Sequence, residues 1–363
     1  MSGEEIGKVR LEGRRGRGAL SNASGRFEEE RRSAVDDGWG SAALPPAPLR
    51  TTLSEDKSQS IIARNSSPDI GFDRSINPYR GCEHGCVYCF ARPTHAWLGL
   101  SAGLDFESRL FYKPAAAALL EKALRRPHYR PAPIAMGTNT DPYQPAEQRF
   151  EITRQILEVL ARFRHPVSIV TKSHSIVRDI DILAPMGQAG LAKVALSVTT
   201  LDRGLARRME PRAATPERRL AAIRQLAEAG IPTGVMAAPV IPAINDMEIE
   251  AILEAAASAG AIGAGYILLR LPLEIKQLWA EWLAEHYPDR AAKVMALMRG
   301  MRGGRDYDPT FGRRMRGQGP YAELIRRRFK LAAKRLGIDG DGPTLDCSRF
   351  RPPPRPGEQL SLL

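Results

Sequence analysis

Residues 81–90 read Gly-Cys-Glu-His-Gly-Cys-Val-Tyr-Cys-Phe and hold three of the four cysteines of the chain. Cys82, Cys86 and Cys89 follow the spacing C-x3-C-x2-C. Three thiolates in one loop can ligate three irons of a cubane cluster. The fourth iron then lacks a local protein ligand and stays open for a bound molecule. Gly81 and Gly85 allow the backbone to wrap tightly, so the stretch predicts a [4Fe-4S] site with one open position.

A repeating strand-then-helix pattern surrounds this loop. Amphipathic helical stretches such as residues 147–163 and 216–229 alternate with short β-rich runs. Such alternation implies a parallel sheet, and six units suit a partial (β/α)6 barrel with its chemistry at the C-terminal strand ends. The cysteine loop comes directly after the first predicted strand. The predicted strands cover residues 72–77, 133–137, 167–171, 194–199, 233–241 and 266–271.

The composition divides the 363-residue chain into four regions. Residues 1–55 have few large apolar side chains and are predicted to form a disordered tail. The barrel is assigned to residues 56–275 and a basic helical extension to 276–340, and residues 341–363 are predicted to be a linker and a C-terminal peptide. The sequence has no long uncharged apolar run and no apolar signal-peptide core, so we expect a cytoplasmic α/β protein without a membrane partner.

Positive charge is concentrated near the C-terminus. Residues 290–355 contain 17 Lys and Arg against 6 Asp and Glu, a balance of +11, while the whole chain carries +12. A localised basic field favours DNA or RNA as a partner, and Arg326, Arg327 and Arg328 on a predicted helix over 321–336 are candidate contacts. Aromatic residues at 279–329 could stack on bases. The alternative is that these aromatics are core and the arginines a solvated face.

Several further phrases carry a resemblance to a known family. The chain resembles the radical S-adenosylmethionine (SAM) superfamily over roughly residues 70–275. Within it, the chain is most similar to the spore photoproduct lyase-like group, often labelled DNA repair photolyase, and to a bacterial branch of it with a long N-terminal tail. Besides the cysteine loop, the matching phrases are NPYRGC at 77–82, TNTDPY at 138–143, TKS at 171–173, LSV at 196–198 and EPR at 210–212.

The resemblance implies an enzyme that binds SAM at the open iron and cleaves it reductively to methionine and a 5′-deoxyadenosyl radical. Matched position by position, it implies that Tyr88, Thr140, Lys172, Ser197 and Arg212 contact SAM. It also implies a lyase- or transferase-type reaction, an electron donor such as flavodoxin or ferredoxin, and a DNA-repair-like substrate. The alternatives left open are a small-molecule or protein substrate, and a non-catalytic iron-sulfur or zinc protein with His84, His95 or Cys347 as fourth ligand.

Two positions depart from the family pattern. The spore lyase has a cysteine as hydrogen donor where this chain has Thr138, and a tyrosine of a radical relay where it has Phe90. The hydroxyl of threonine has too strong an O–H bond for hydrogen-atom donation, and phenylalanine has no O–H. We therefore predict that the chain generates a radical but does not repair spore photoproduct by that route.

The last five residues resemble the short peptide, of the form Q-L-x-L-F, by which bacterial replication and repair proteins bind the sliding clamp. Gln359 is the anchor of the motif, and Leu360, Leu362 and Leu363 supply its apolar side chains. A proline-linked chain end could insert such side chains into a preformed groove. The sequence therefore predicts the sliding clamp as a possible partner.

Overall fold

The computed structural model describes residues 13–28, 48–340 and 342–354. In this part of the chain, ten strands form two sheets. The main sheet has the order β10-β9-β8-β7-β6-β3-β2, and a small sheet has the order β1-β5-β4. The strands are β1 (Thr52–Glu55), β2 (Ile62–Arg64), β3 (Arg74–Ile76), β4 (Tyr79–Arg80), β5 (Arg109–Tyr112), β6 (Ile134–Met136), β7 (Val167–Thr171), β8 (Ala192–Ser197), β9 (Thr233–Val240) and β10 (Gly263–Leu268).

The helices alternate with the strands of the main sheet. They are α1 (Leu104–Ser108), α2 (Ala116–Leu124), α3 (Glu147–Phe150), α4 (Ile152–Arg162), α5 (Ile180–Gln188), α6 (Arg203–Met209), α7 (Pro216–Glu228), α8 (Ile249–Ser258), α9 (Ile275–His286), α10 (Pro288–Gly300) and α11 (Pro320–Arg335). Short 3-10 helices cover Arg92–Leu98, His174–Asp179 and Asp246–Glu248. Within the described ranges, none of the helices is long and apolar enough to cross a membrane.

The main sheet confirms the predicted partial (β/α)6 barrel. Strands β3, β6, β7, β8, β9 and β10 pair in parallel, and only β2 runs antiparallel to its neighbour β3. These six parallel strands are the six that the sequence predicts, each within a few residues. The C-terminal ends of all six therefore lie on one face of the barrel, where the chain places its polar strand-end residues.

Side-chain alternation explains why these segments form barrel strands. In β7, Val167, Ile169 and Thr171 are buried, while Ser168 and Val170 are more exposed. One face of each strand thus packs on helices and the other lines the lumen. The helix predicted over 147–163 is broken at Glu151, whose φ of 49° separates α3 from α4.

The two ends of the chain differ from their predictions. Residues 13–28 and strand β1, which lie in the predicted disordered tail of residues 1–55, pack on the body, with Ala19 fully buried. They are held by polar and backbone contacts, which apolar content does not reveal. Similarly, residues 342–354 are not a free linker, because Asp346 and Arg351 donate backbone hydrogen bonds to the carbonyls of Gly190 and Phe163.

The open side of the barrel lies between the edge strands β10 and β2. The amide of Leu268 in β10 donates a hydrogen bond to the carbonyl of Met315 at 2.9 Å. The neighbouring Arg314 forms a two-pronged ion pair with Asp69, in the connection between β2 and β3, at 2.6 and 2.8 Å. The segment 301–318 therefore joins the two edges of the sheet.

Candidate functional site

A cleft opens at the C-terminal ends of the barrel strands, and all three loop cysteines line it. It encloses about 810 Å³ of space, part of which is open to solvent. The cysteine loop is held in place by backbone hydrogen bonds from Cys82 to the carbonyl of Phe106 and from Val87 to that of Met209, both 3.0 Å long. The predicted SAM-contacting residues that line the same cleft are Tyr88, Thr140, Lys172 and Ser197.

The chemistry of the three cysteines fits an iron-sulfur cluster. Burial raises the pKa of the Cys82 thiol, and Asp141 together with the other two cysteines raises it further. Burial likewise raises the pKa of Cys86 and Cys89. Three mutually repelling thiolates in a buried loop need cations to balance them, and the irons of a cubane supply that charge.

Of the three possible fourth ligands in the zinc alternative, His84 lines the cleft with the cysteines, whereas His95 and Cys347 do not. His95 is fully buried and its Nε2 lies 2.9 Å from the carbonyl of Arg109. Cys347 lies beside Asp346, which bonds to Gly190 ahead of β8, so Cys347 is at the opposite end of the barrel.

Lys172 and Ser197 come together from neighbouring strands. The ammonium nitrogen of Lys172 donates a hydrogen bond to the Ser197 hydroxyl at 2.8 Å, and this hydroxyl donates to the carbonyl of Ala238 at 3.0 Å. The same ammonium lies 5.8 Å from the centre of the Tyr88 ring. The cleft thus presents the Lys172 ammonium beside the cysteine loop, where the carboxylate of a bound amino acid could pair with it.

Thr140 supports the cysteine loop from the end of β6. Its hydroxyl donates to the carbonyl of Gly81 at 2.8 Å and accepts from the Gln144 amide at 2.9 Å. The next residue, Asp141, accepts hydrogen bonds from the Thr171 hydroxyl and the Lys172 amide at 2.7 and 2.8 Å. Thr140 is therefore engaged in holding the loop, although it lines the cleft as the resemblance implies.

Asp141 also faces a histidine of the cysteine loop. His84 Nδ1 lies 3.4 Å from an Asp141 carboxylate oxygen, and both side chains are nearly buried. Burial opposes ionisation of Asp141, but His84 and the donors from Thr171 and Lys172 outweigh it and lower its pKa to about 2. The cleft therefore keeps a negative charge next to the cysteines.

Tyr88 belongs to a buried network on the other side of the loop. Its hydroxyl donates a short hydrogen bond to Glu210, which also accepts from Thr199 at 2.5 Å and pairs with Arg219. Burial opposes ionisation of Glu210, but Arg219 and Lys172 lower its pKa to about 2. This network orients the Tyr88 ring against the cleft.

Arg212 is placed differently from its prediction. It does not line the cleft, and its guanidinium pairs with Glu83 at 2.9 Å, while its amide donates to the carbonyl of His84. The guanidinium is thus paired within the cysteine loop, and the SAM contact of Arg212 stays a prediction from the resemblance.

The two positions that depart from the family pattern both face the cleft. The Thr138 hydroxyl donates to the side-chain carbonyl of Asn77 at 3.1 Å. The ring of Phe90 is 44% exposed at the mouth of the cleft, and the Arg270 guanidinium lies 4.9 Å from its centre. Arg270 also lines the cleft, and its Nε is buried without a hydrogen-bond partner among the residues that the structure describes.

The arginines predicted to contact nucleic acid are paired with carboxylates. Arg326 and Arg327 both contact Glu323 one turn earlier in α11, and Arg328 pairs with Glu250 of α8 at 2.6 Å. The run is thus not a set of three free cations, because Arg328 joins two helices, and the nucleic-acid contact stays a prediction. The predicted clamp peptide, Gln359, Leu360, Leu362 and Leu363, lies outside the described residues.

Sequence reasoning missed several residues that line or support the cleft. The charged ones are Asp141, Glu210 and Arg270. A signal existed for two of them, because Asp141 lies in the TNTDPY phrase and Glu210 in the EPR phrase. Arg270 follows the last barrel strand, a position at which polar residues are candidates for a site.

Comparisons with known proteins agree with this geometry. An uncharacterized protein of Mycobacterium tuberculosis is 39% identical over 274 residues, which cover 75% of this chain and 77% of the relative. An uncharacterized protein of Methanocaldococcus jannaschii is 30% identical over 173 residues, covering 48% and 62% of the two chains. The solved structure of spore photoproduct lyase complexed with dinucleoside spore photoproduct shares the fold, with a TM-score of 0.55, 15% identity, and coverage of 79% of this chain and 80% of that one.

The family profile described as the Radical SAM superfamily matches residues 76–256. This span begins at the end of β3, includes the cysteine loop, and runs into α8. It therefore contains the cleft-lining cysteines and the ends of strands β6 to β9. The profile match, the mycobacterial relative and the cleft agree with one another, and the chain belongs to the radical SAM superfamily.

Proposed function

We propose that the chain is a radical SAM enzyme that acts on a nucleic acid. Cys82, Cys86 and Cys89 would hold the [4Fe-4S] cluster, and Lys172 and Ser197 would bind SAM beside it. When bound, the cluster and SAM supply a 5′-deoxyadenosyl radical for hydrogen-atom abstraction. The residues of the chain orient SAM, shield the cleft and select the substrate.

The observation that carries the nucleic-acid substrate is the pairing of Phe90 and Arg270 at the cleft mouth. An exposed aromatic ring can stack on a base, and a guanidinium beside it can bind the adjoining phosphate. The centre of the Phe90 ring and the Arg270 guanidinium carbon are 4.9 Å apart, close enough for one nucleotide to contact both. A solved structure of the same fold contains a dinucleoside lesion.

The segment 301–318, which joins the two edges of the main sheet, adds positive charge beside the cleft. It contacts Leu268 and Leu269, which line the cleft, through the carbonyl of Met315 and through the side chain of Arg302. Arg305 and Arg313 in this segment are exposed, and both help to lower the pKa of the neighbouring Asp308 carboxyl. These exposed cations could contact the backbone of a polyanion that enters from the open side of the barrel.

The experiment is 5′-deoxyadenosine formation by the anaerobically reconstituted protein with SAM and dithionite. Single-stranded DNA, duplex DNA and RNA are each compared with no nucleic acid. We expect at least one of them to stimulate product formation. Equal rates in all four reactions would exclude the nucleic-acid substrate and favour a small-molecule or protein substrate.

Binding tests the same proposal independently. Affinity for a labelled oligonucleotide is measured at several salt concentrations, and each phosphate contact adds about 0.7 to 0.9 to the slope of log affinity against log salt. We expect Arg270→Gln to reduce the steepness of that slope by about 0.7 to 0.9, the contribution of one phosphate contact. Arg326→Gln is the matched control because its guanidinium is already paired with Glu323. Equal slopes for the two variants and the native chain would contradict a phosphate contact at Arg270.

Two partners are proposed from the sequence alone. The C-terminal peptide at 359–363 would bind the sliding clamp, and a flavodoxin or ferredoxin would reduce the cluster. Deletion of residues 359–363 tests the first, since clamp binding that survives the deletion would exclude this peptide as the contact. Replacing dithionite by either reduced carrier protein tests the second.

A further inference from the structure

The N-terminal segment packs on the back of the cysteine loop. Gly18 lies so close to Gly85 that a Cβ added at Gly18 would stand 1.8 Å from the Gly85 carbonyl oxygen and 3.3 Å from the Val87 nitrogen. Real Cβ atoms essentially never come within 3.0 Å of another heavy atom in this way. Only glycine therefore fits at position 18 while the cysteine loop keeps its conformation.

A buried carboxylate links the segment to the loop. Glu107 accepts hydrogen bonds from the amides of Gly18 and Ala19 at 2.9 and 2.8 Å and pairs with Arg92 at 2.6 Å, with both charged side chains fully buried. Arg92 in turn donates to the carbonyls of Gly85 and Cys86 at 3.1 and 2.8 Å. One ion pair thus holds the N-terminal segment and the cysteine loop together.

Arg17 makes a second connection. Its guanidinium donates to the backbone carbonyl of Glu107 at 2.6 Å and to the Thr51 hydroxyl at 2.9 Å. That hydroxyl donates to a carboxylate oxygen of Glu83, inside the cysteine loop, at 2.6 Å. The segment therefore reaches the loop at Glu83 as well as at Gly85.

We infer that residues 17–19 are positioning residues of the cluster site, which hold the cysteine loop in the conformation that receives the cluster. The segment reaches the loop on both sides of His84, at the Glu83 side chain through Thr51 and at the Gly85 backbone through Glu107 and Arg92. A carboxylate that accepts backbone amides fixes a main chain more strongly than apolar packing, because the bonds are directional and charge-assisted. The inference rests on the proposed cluster binding but not on the proposed substrate.

The test compares Gly18→Ala with Gly13→Ala in the full chain. Gly13 lies in the same segment, and a Cβ there would meet only a Leu20 side-chain carbon at an ordinary 3.5 Å. Both variants are reconstituted anaerobically. The measurements are iron and sulfide per chain, the electron paramagnetic resonance spectrum of the reduced cluster with and without SAM, and the rate of bleaching in air. Circular dichroism reports whether each variant is folded.

We expect Gly18→Ala to stay folded, to bind less iron, to show a changed spectrum and to bleach about tenfold faster, since a backbone overlap of this kind must displace the loop. Gly13→Ala should match the native chain in each measurement. Native iron content, spectrum and bleaching rate in Gly18→Ala would overturn the inference.

A second variant keeps the test decisive if Gly18→Ala does not fold. Arg17→Met removes the hydrogen bonds to Glu107 and Thr51 without adding a backbone clash. Folded Arg17→Met with native cluster properties would then overturn the inference, while loss of iron from the folded variant would support it. Failure of the native chain itself to bind a cluster would instead contradict the proposed function.

Discussion

The Lys172 ammonium lies 2.8 Å from the Ser197 hydroxyl, although the two residues end different strands of the barrel. Lys172 follows β7 and Ser197 closes β8, and these strands pair in parallel register. Both side chains therefore extend from the same face of the sheet into the cleft beside the cysteines. A cation held by a hydroxyl in this way is already placed for an anionic ligand before the ligand arrives.

We predict that Lys172→Met weakens SAM binding by about 10- to 100-fold, the range expected for loss of a hydrogen bond to a charged group. Ser197→Ala should weaken it by several-fold, and the double variant should lose less than the product of the two because the residues act together. Calorimetric titration of the reconstituted protein with SAM measures all three. Lys330→Met, an exposed lysine on α11, is the control. Unchanged affinity in Lys172→Met would remove this lysine from the SAM site.

The strand-end residues show how far the sequence could predict this site. Lys172 and Ser197 were predictable because parallel strands deliver their C-terminal residues to one face, whatever the loops do. The placement of the Arg212 side chain was not predictable, because Arg212 lies in the connection between α6 and α7. Its guanidinium pairs with Glu83, more than a hundred residues earlier in the chain. Side chains on regular strands are thus fixed by register, and those on loops by distant partners.

The terminal segments show a second limit. Composition favoured disorder before residue 56, yet Gly18 and Ala19 are fixed by their backbone amides, which every sequence provides. Only the buried acceptor, Glu107, distinguishes this segment, and no periodicity links residue 107 to residue 18. The ion pair of Arg328 in α11 was hidden from sequence reasoning for a related reason, since its acidic partner Glu250 lies on another helix.

The buried pair of Glu210 and Arg219 should dominate stability near the cysteine loop. We predict that Glu210→Gln lowers the free energy of unfolding of the cluster-free protein by about 3–5 kcal/mol at neutral pH, because Arg219 is left buried without its counter-charge. Urea denaturation followed by circular dichroism measures the change. Glu217→Gln, an exposed carboxylate on the helix that carries Arg219, should change stability by no more than about 1 kcal/mol. Equal midpoints for the two variants would contradict the prediction.

The Glu210 carboxylate also leads us to predict that the stability of the fold depends on pH. The pKa of Glu210 in the folded chain is about 2, below its ordinary value of 4.5. The ionised group therefore stabilises the fold at pH values above 4.5, and this contribution is lost as the pH falls from about 4.5 towards 2. In that window the native chain should lose stability more steeply than Glu210→Gln. Parallel slopes in urea midpoints measured from pH 5 to pH 3 would show that Glu210 is not the group responsible.

Substitutions of Arg328 and Arg270 should have different effects, because we expect Arg328 to serve stability and Arg270 to bind the substrate. Arg328 pairs with Glu250 across α11 and α8, so Arg328→Gln should lower stability by at most about 1 kcal/mol and leave oligonucleotide affinity unchanged. Arg270→Gln should lower the oligonucleotide affinity and leave the stability unchanged. Melting temperature and oligonucleotide affinity, measured on both variants, check this. A larger loss of affinity in Arg328→Gln than in Arg270→Gln would move the proposed interface from the cleft mouth to α11.

The side chains at Thr138 and Phe90 lead to a prediction about the reaction that the radical does not carry out. Both face the cleft, so they lie where a hydrogen donor and a relay tyrosine would have to act, and neither can supply a hydrogen atom. We predict that the reconstituted protein cleaves SAM but does not return dinucleoside spore photoproduct to two thymines at enzymatic rates. Chromatography of the dinucleoside alongside 5′-deoxyadenosine measures both products. The variant carrying both Thr138→Cys and Phe90→Tyr is compared with the native chain. Repair by the native chain at an enzymatic rate that equals or exceeds the rate of the variant would show that these two side chains do not set the fate of the radical.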